Sequence, residues 1–154
     1  MHIDEIERKL LEILQEDDCI PLVDLSKRVG LAPSTINQRI KRLAGDGVIS
    51  GFHARLDADK LGLGLLAFMM VSWSDPNVEP EFLKQVKASR TVLECHHVTG
   101  VWNYLLKVRV RSTRELESFL SGTIKAVRGV ERTETIIILS TAKEEWALDA
   151  SEPA

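Results

Sequence analysis

Apolar residues near the start of the chain fall at Ile3, Ile6, Leu10, Ile13 and Leu14, in steps of three and four that lay one stripe along one helical face. Asp4, Glu5 and Glu7 load the first turn with acid, which suits the positive end of a helix dipole. The spacing predicts a first helix from Asp4 to Glu16. Asp17 to Pro21 reads as a turn, because proline is admitted at a helix start and not inside one. Leu22, Val23, Leu25 and Val29 then give a short amphipathic second helix, stopped by Gly30. Pro33-Ser34 opens a third helix with Ile36, Ile40 and Leu43 on its inner face, and Asp46-Gly47 ends it. Val48 to Leu56 reads as a short β-hairpin. Two helices joined by a tight glycine-containing turn form the helix-turn-helix pattern, and with the hairpin as wing residues 1–56 read as a winged helix-turn-helix domain.

The period then changes. Asp57 to Gly64 carries polar residues and glycines and reads as a linker. Leu65 to Trp73 reads as a buried strand, Ser74 to Asn77 as a turn and Glu79 to Ser89 as a helix with Phe82, Leu83 and Val86 on one face. Val92 to Thr99 and Tyr104 to Arg111 read as strands separated by a turn at Gly100. Ser112 with Glu115 predicts a capping box, followed by a helix to Gly129. Val130 to Leu139 reads as a closing strand whose centre, Ile136 to Leu139, is expected to be buried on both faces. The β-α-β-β-α-β order predicts a ferredoxin-like antiparallel sheet with both helices on one face, over residues 65–142. The fold class is therefore α+β. The uncovered face of such a sheet calls for a partner, which predicts a homodimer through this second domain. Residues 143–154, including Trp146, show no periodicity and read as a mobile tail.

Composition narrows the function. In 154 residues, 44% hydrophobic and 28% charged side chains exclude a disordered, collagen-like or disulfide-built protein. Gly62 and Gly64 interrupt the longest apolar stretch, which is shorter than the roughly 20 residues of a membrane span. The first residues lack a basic n-region, so a cytoplasmic protein is expected, with Cys19 and Cys95 as thiols. The net charge of −3 argues against nucleic acid, but its distribution argues for it. No acid lies between Asp24 and Asp46, an interval that holds Lys27, Arg28, Arg39, Lys41 and Arg42. His96 and His97 are adjacent on a strand and point to opposite faces, leaving only Cys95 and His97 on a shared one. No nucleophile–base motif, phosphate loop or close carboxylate pair is present. Neither enzyme chemistry, a metal nor a cofactor is predicted.

With Ile36, Ile40 and Leu43 inward, a rotation of about 100° per residue projects Ser34, Gln38 and Lys41 outward, flanked by Thr35, Asn37 and Arg42. Gln and Asn pair with adenine edges, Lys donates to guanine, and Ser or Thr serves base or phosphate. Lys27, Arg28, Arg39 and Arg42 are suited to the DNA backbone. Ala32, just before the third helix, has no side chain that could cap it.

These residues carry a resemblance. Asp4 with Ile6, Ile13 and Leu14, Asp24-Leu25-Ser26-Lys27-Arg28-Val29-Gly30-Leu31, Arg39-Ile40-Lys41-Arg42-Leu43 and Gly47-Val48-Ile49 make up its first half. Glu94-Cys95-His96-His97-Val98-Thr99-Gly100 and Tyr104-Leu105-Leu106-Lys107-Val108 make up its second. Over nearly its whole length the chain resembles the Lrp/AsnC (leucine-responsive and asparagine-synthetase regulator) transcription regulators of bacteria and archaea. The resemblance implies a winged helix-turn-helix domain that binds double-stranded DNA. It also implies a C-terminal effector-binding and oligomerisation domain whose dimers assemble into tetramers or octamers. A small effector, an amino acid in the usual case, would bind between dimers near Thr99, Gly100, Val101, Trp102 and Asn103. The position before Tyr104 is commonly Asp in that family, and Asn103 removes a carboxylate suited to a ligand ammonium. Two other readings stay open: an enzyme, since a tetrapyrrole-pathway decarboxylase family resembles this architecture, and a small-molecule sensor acting through protein contacts alone.

Overall fold

The computed structural model describes residues 2–151. The chain divides into two units: residues up to Arg55 together with those from Lys143 onward, and Leu56–Ala142.

The first unit is built on α1 (Glu5–Glu16), α2 (Leu22–Val29) and α3 (Pro33–Gly45). Asp4 caps α1 by accepting from the Glu7 amide at 2.8 Å, and Glu7 reaches back to the Asp4 amide at 3.3 Å. This reciprocal capping box contributes about 1 kcal/mol to a helix start. Leu10, Ile13, Leu25 and Ile36 pack into one small core, with Ile6, Leu14, Val29 and Ile40 around it. Gly30 ends α2 at φ +78°, a conformation that costs glycine no Cβ clash. The Ser26 hydroxyl donates to the Leu31 carbonyl at 2.5 Å, which fixes the turn into α3.

Two expectations for this unit are corrected. No hairpin forms over Val48–Leu56: residues 50–57 have no regular secondary structure and no strand pairing. Gly51 is not among the glycines with positive φ, so the chain never makes the primed turn that closes a short hairpin. The presumed tail is held in place as far as the description reaches. Leu148 exchanges two hydrogen bonds with the Gln15 side chain, at 2.9 and 2.6 Å, Arg8 donates to the Ala150 carbonyl, and Arg55 pairs with Glu145. Periodicity is blind to such contacts because they address the backbone. The last residues of the predicted tail, 152–154, lie outside the described residues.

The second unit is a four-stranded antiparallel sheet of β1 (Leu65–Ser72), β2 (Val92–His97), β3 (Tyr104–Val110) and β4 (Arg132–Ile137), in the order β2-β3-β1-β4. α4 (Glu79–Ala88) and α5 (Thr113–Phe119, continued by one wide turn to Ile124) cover one face. Ala67, Met69, Val71, Leu106, Val108 and Val110 pack there against Phe82, Val86, Leu116 and Ile124. The capping box expected at Ser112 is only half made. Ser112 accepts from the Glu115 amide, but Glu115 accepts from the Arg111 amide rather than that of Ser112. β4 is also not buried on both faces: Ile136 and Ile137 are 47% and 44% exposed and Leu139 is almost bare. β4 is an edge strand, and Ile136 joins Phe68 on the face that carries no helix.

Candidate functional site

Two places in the fold collect the predicted functional residues. The first is the outward face of α3. Burial of Ile36 and Leu43 sets the helix rotation, and Ser34, Gln38, Lys41 and Arg42 emerge exposed while Thr35, Asn37 and Arg39 are half-buried. No side chain caps the α3 N-terminus, where Ala32 precedes Pro33, so the amides of its first turn have no side-chain acceptor. Lys27 and Arg28 are exposed on α2. Lys27 pairs with Asp24 at 2.8 Å, and that contact holds the Asp24 carboxyl below its ordinary value. An exposed pair of this kind is worth little and releases its lysine readily to a phosphate.

Arg39 and Arg42, read from sequence as phosphate contacts, are placed differently. Arg39 donates to Asp4 at 2.5 Å and lies 3.4 Å from Glu7, and Arg42 binds the same Glu7 oxygen. Glu7 is completely buried. The hydrogen bond from Arg39 is the main cause that holds the Asp4 carboxyl below its ordinary value, and Asp4 in turn raises the Arg39 guanidinium. One turn of α1 thereby grips one turn of α3, and the two arginines orient the helix as well as charging it. Sequence reasoning missed Glu7. The Asp-x-x-Glu spacing at a helix start signals a capping box, but no local pattern signals the second engagement of that carboxylate.

The second place is the loop between β2 and β3. Thr99, Gly100 and Val101 are exposed and Trp102 and Asn103 half-buried, with Gly100 at φ +104° supplying the turn. Asn103 braces the loop against β1. Its amide donates to the Val71 carbonyl at 2.9 Å, its carbonyl accepts from Val98, and its side-chain Oδ1 accepts from the Trp73 amide at 2.8 Å. Behind the loop Trp73, Phe82, Tyr104 and His97 pack ring on ring, with centroids 4.8 to 5.7 Å apart. Burial, helped by a hydrogen bond to Glu79, pushes the Tyr104 hydroxyl up to about 12, so it stays a donor. The loop is thus a short exposed turn on a rigid base.

Cys95 and His97, the one pair with metal-ligand character, are not joined by a third ligand: no group of three His, Cys, Asp or Glu is placed to hold a metal among the described residues. His97 stacks on Tyr104 and His96 pairs with Glu94 at 3.2 Å. No helix among the described residues is long and apolar enough to cross a membrane.

A helix-turn-helix with a polar outward helix, followed by a separate α+β domain, is the architecture of a DNA-binding regulator. Residues 66–148 match the family described as Lrp/AsnC ligand binding domain, and residues 3–50 that described as winged helix-turn-helix DNA-binding. The chain belongs to the Lrp/AsnC family of transcription regulators and is not an enzyme. It is 38% identical over 142 residues to the HTH-type transcriptional regulator FL11 of Pyrococcus furiosus, covering 92% of this chain and 93% of that one. It is also 38% identical over 144 residues to the proline dehydrogenase transcriptional activator of Rhizobium radiobacter, covering 92% of each. A transcriptional regulator of Neisseria meningitidis solved as a complex with L-methionine superposes with a TM-score of 0.91 at 30% identity, over 96% of both chains.

Proposed function

We propose that this regulator binds DNA as a homodimer in the cytoplasm, reads sequence with α3, and responds to an amino acid or related metabolite held at residues 99–103 between dimers of a larger assembly. The observation that carries the DNA reading is the α3 face: a core-fixed helix presents Ser34, Gln38 and Lys41 in one exposed row. Gln38, Asn37 and Lys41 address base edges, Ser34 and Thr35 bases or phosphate, and Lys27 and Arg28 the backbone. Arg39 and Arg42 present α3 through Glu7 and Asp4, and Arg42, exposed beyond its carboxylate, adds a phosphate contact.

The helix-free face of the sheet supports the dimer. Leu66, Phe68, Met70, Leu105 and Ile136 lie on it, with Lys107 buried against Glu94 in its midst. Two recognition helices about 34 Å apart would enter successive major grooves of a near-palindromic site. The effector reading draws on the L-methionine complex of the Neisseria regulator.

The test is a fluorescence-anisotropy titration against DNA upstream of the protein's own reading frame and a scrambled control, at two salt concentrations, with and without amino acids. Salt-sensitive preference for the upstream DNA supports the reading. Gln38→Ala and Lys41→Ala should relax sequence preference, and Lys27→Ala and Arg28→Ala should weaken both DNAs and flatten the salt slope. Identical, sequence-blind losses would remove the base-reading role, and a monomer at micromolar concentration in light scattering would remove the dimer.

A further inference from the structure

We infer that Asp24 is a built-in competitor for the DNA backbone: its carboxylate stands against Lys27 and Arg28 as a phosphate would, and so lowers the affinity of the first unit for DNA of any sequence. The inference rests on the reading of α2 and α3 as the DNA-facing helices. Asp24 lies in the first turn of α2, three and four positions before Lys27 and Arg28, so the three share one side of the helix. All three are exposed, and the Lys27 ammonium donates to the Asp24 carboxylate at 2.8 Å. That hydrogen bond, with the charges of Lys27 and Arg28 behind it, holds the Asp24 carboxyl below its ordinary value and keeps it ionised at neutral pH.

Two kinds of carboxylate meet the cations of this unit. Glu7 is completely buried and ties Arg39 and Arg42 to α1, so an arriving ligand cannot take its place. Asp24 keeps 51% of its side chain in water, and an exposed pair of this kind is weak enough for a phosphate to displace. Displacement is opposed twice: the pair with Lys27 is broken, and the released carboxylate is left beside a polyanion. Neither effect depends on the bases in the groove. Asp24 therefore shifts the affinity for matched and unmatched DNA by one factor, while Gln38 and Lys41 set the ratio between them. It also softens the response to salt. A lysine that reaches a phosphate releases a counterion from the DNA, whereas a carboxylate that loses its lysine takes a cation up.

Anisotropy titration of the full chain against its upstream DNA and the scrambled control, at several salt concentrations, tests this with two variants. Asp24→Asn, which keeps the shape and drops the charge, should bind both DNAs about three- to ten-fold tighter. The factor should be the same for the two, and the salt slope steeper by up to about one unit. Asp24→Glu, which retains the charge, should stay near the wild type. In a Lys27→Ala background Asp24→Asn should gain less, because the pair is already gone. Asp24 also complements the dipole at the start of α2, so damage to the helix would weaken binding, the opposite sign. Asp24→Asn binding both DNAs no tighter than the wild type would overturn the inference and leave the DNA reading standing. A gain confined to one DNA would overturn it as well, by placing Asp24 against bases. If Asp24→Asn loses its melting transition, Asp24→Ser, equally free of charge, decides between the same outcomes. No binding of either DNA by the wild type at any salt would overturn the DNA reading itself, and this inference with it.

Discussion

Glu7 decides how two of the basic side chains behave. Taking a carboxylate out of water costs several kcal/mol unless it is paired and hydrogen-bonded, and Glu7 offsets that cost with its bond to the Asp4 amide and with Arg39 and Arg42. Glu7→Gln keeps the shape and the cap but leaves the guanidinium groups facing a neutral amide. Because both arginines retain contact with water, the expected loss is about 1–3 kcal/mol rather than that of a fully buried triad. Urea denaturation of the full chain measures it, and the same variant should weaken DNA binding with an unchanged salt slope if Arg39 is purely an orienting group. Asp4 gives the matching pH dependence. Its carboxyl is held below the ordinary 3.8, so its contribution is complete above that value and lost as pH falls through the lower folded value. Acid unfolding of Asp4→Asn, which retains a capping oxygen, should show a shallower decline in thermal midpoint below about pH 4 than the wild type. The basic window of α2 and α3 was legible in the sequence because it is a run of neighbours. Its division into free and tethered arginines was not, because the tether comes from a carboxylate more than thirty positions away.

Helix starts and stops were legible at the scale of the element, because each rests on local chemistry: Pro33 opening α3, Gly30 in the left-handed conformation after α2, and Ser112 accepting from Glu115. Val48–Leu56 failed for the complementary reason. Alternating apolar residues mark a strand only when another strand is at hand, and β-propensity has no preference to express on an unpaired segment. The uncapped start of α3 gives a clean test. Ala32 is extended, at φ −61° and ψ 143°, a conformation in which a Ser hydroxyl reaches the first-turn amides. Ala32→Ser should stabilise the protein by about 1 kcal/mol, read as a higher urea midpoint. A raised midpoint with weaker DNA binding would mean that the free amides of this turn serve a phosphate, and that stability was given up for the ligand.

The two units are joined twice, since the chain leaves the first unit after Arg55 and returns to it at Lys143. Most of the second unit was legible from its β-α-β-β-α-β order, but the return was not, because polar contacts to a backbone leave no periodic mark. The contacts to Gln15 and Glu145 are exposed, and a pair of that kind is worth a few tenths of a kcal/mol, so their importance lies in connectivity rather than in stability. Allosteric coupling is a free energy of about 1–3 kcal/mol between sites, and it passes from one unit to the other only through structure that responds to both. A chain ended after Ala142 keeps the sheet, α4 and α5 intact and cuts the second connection. That truncated protein should bind its effector and, without effector, its DNA with affinities close to those of the full chain, while the effector-induced change in DNA affinity shrinks. Gln15→Ala, which releases Leu148 without removing the segment, should fall between the two, and faster amide exchange at Leu148 would report that release independently. A truncated chain with the full effector response would place the coupling in the first crossing alone, at residues 50–57, which carry no regular secondary structure.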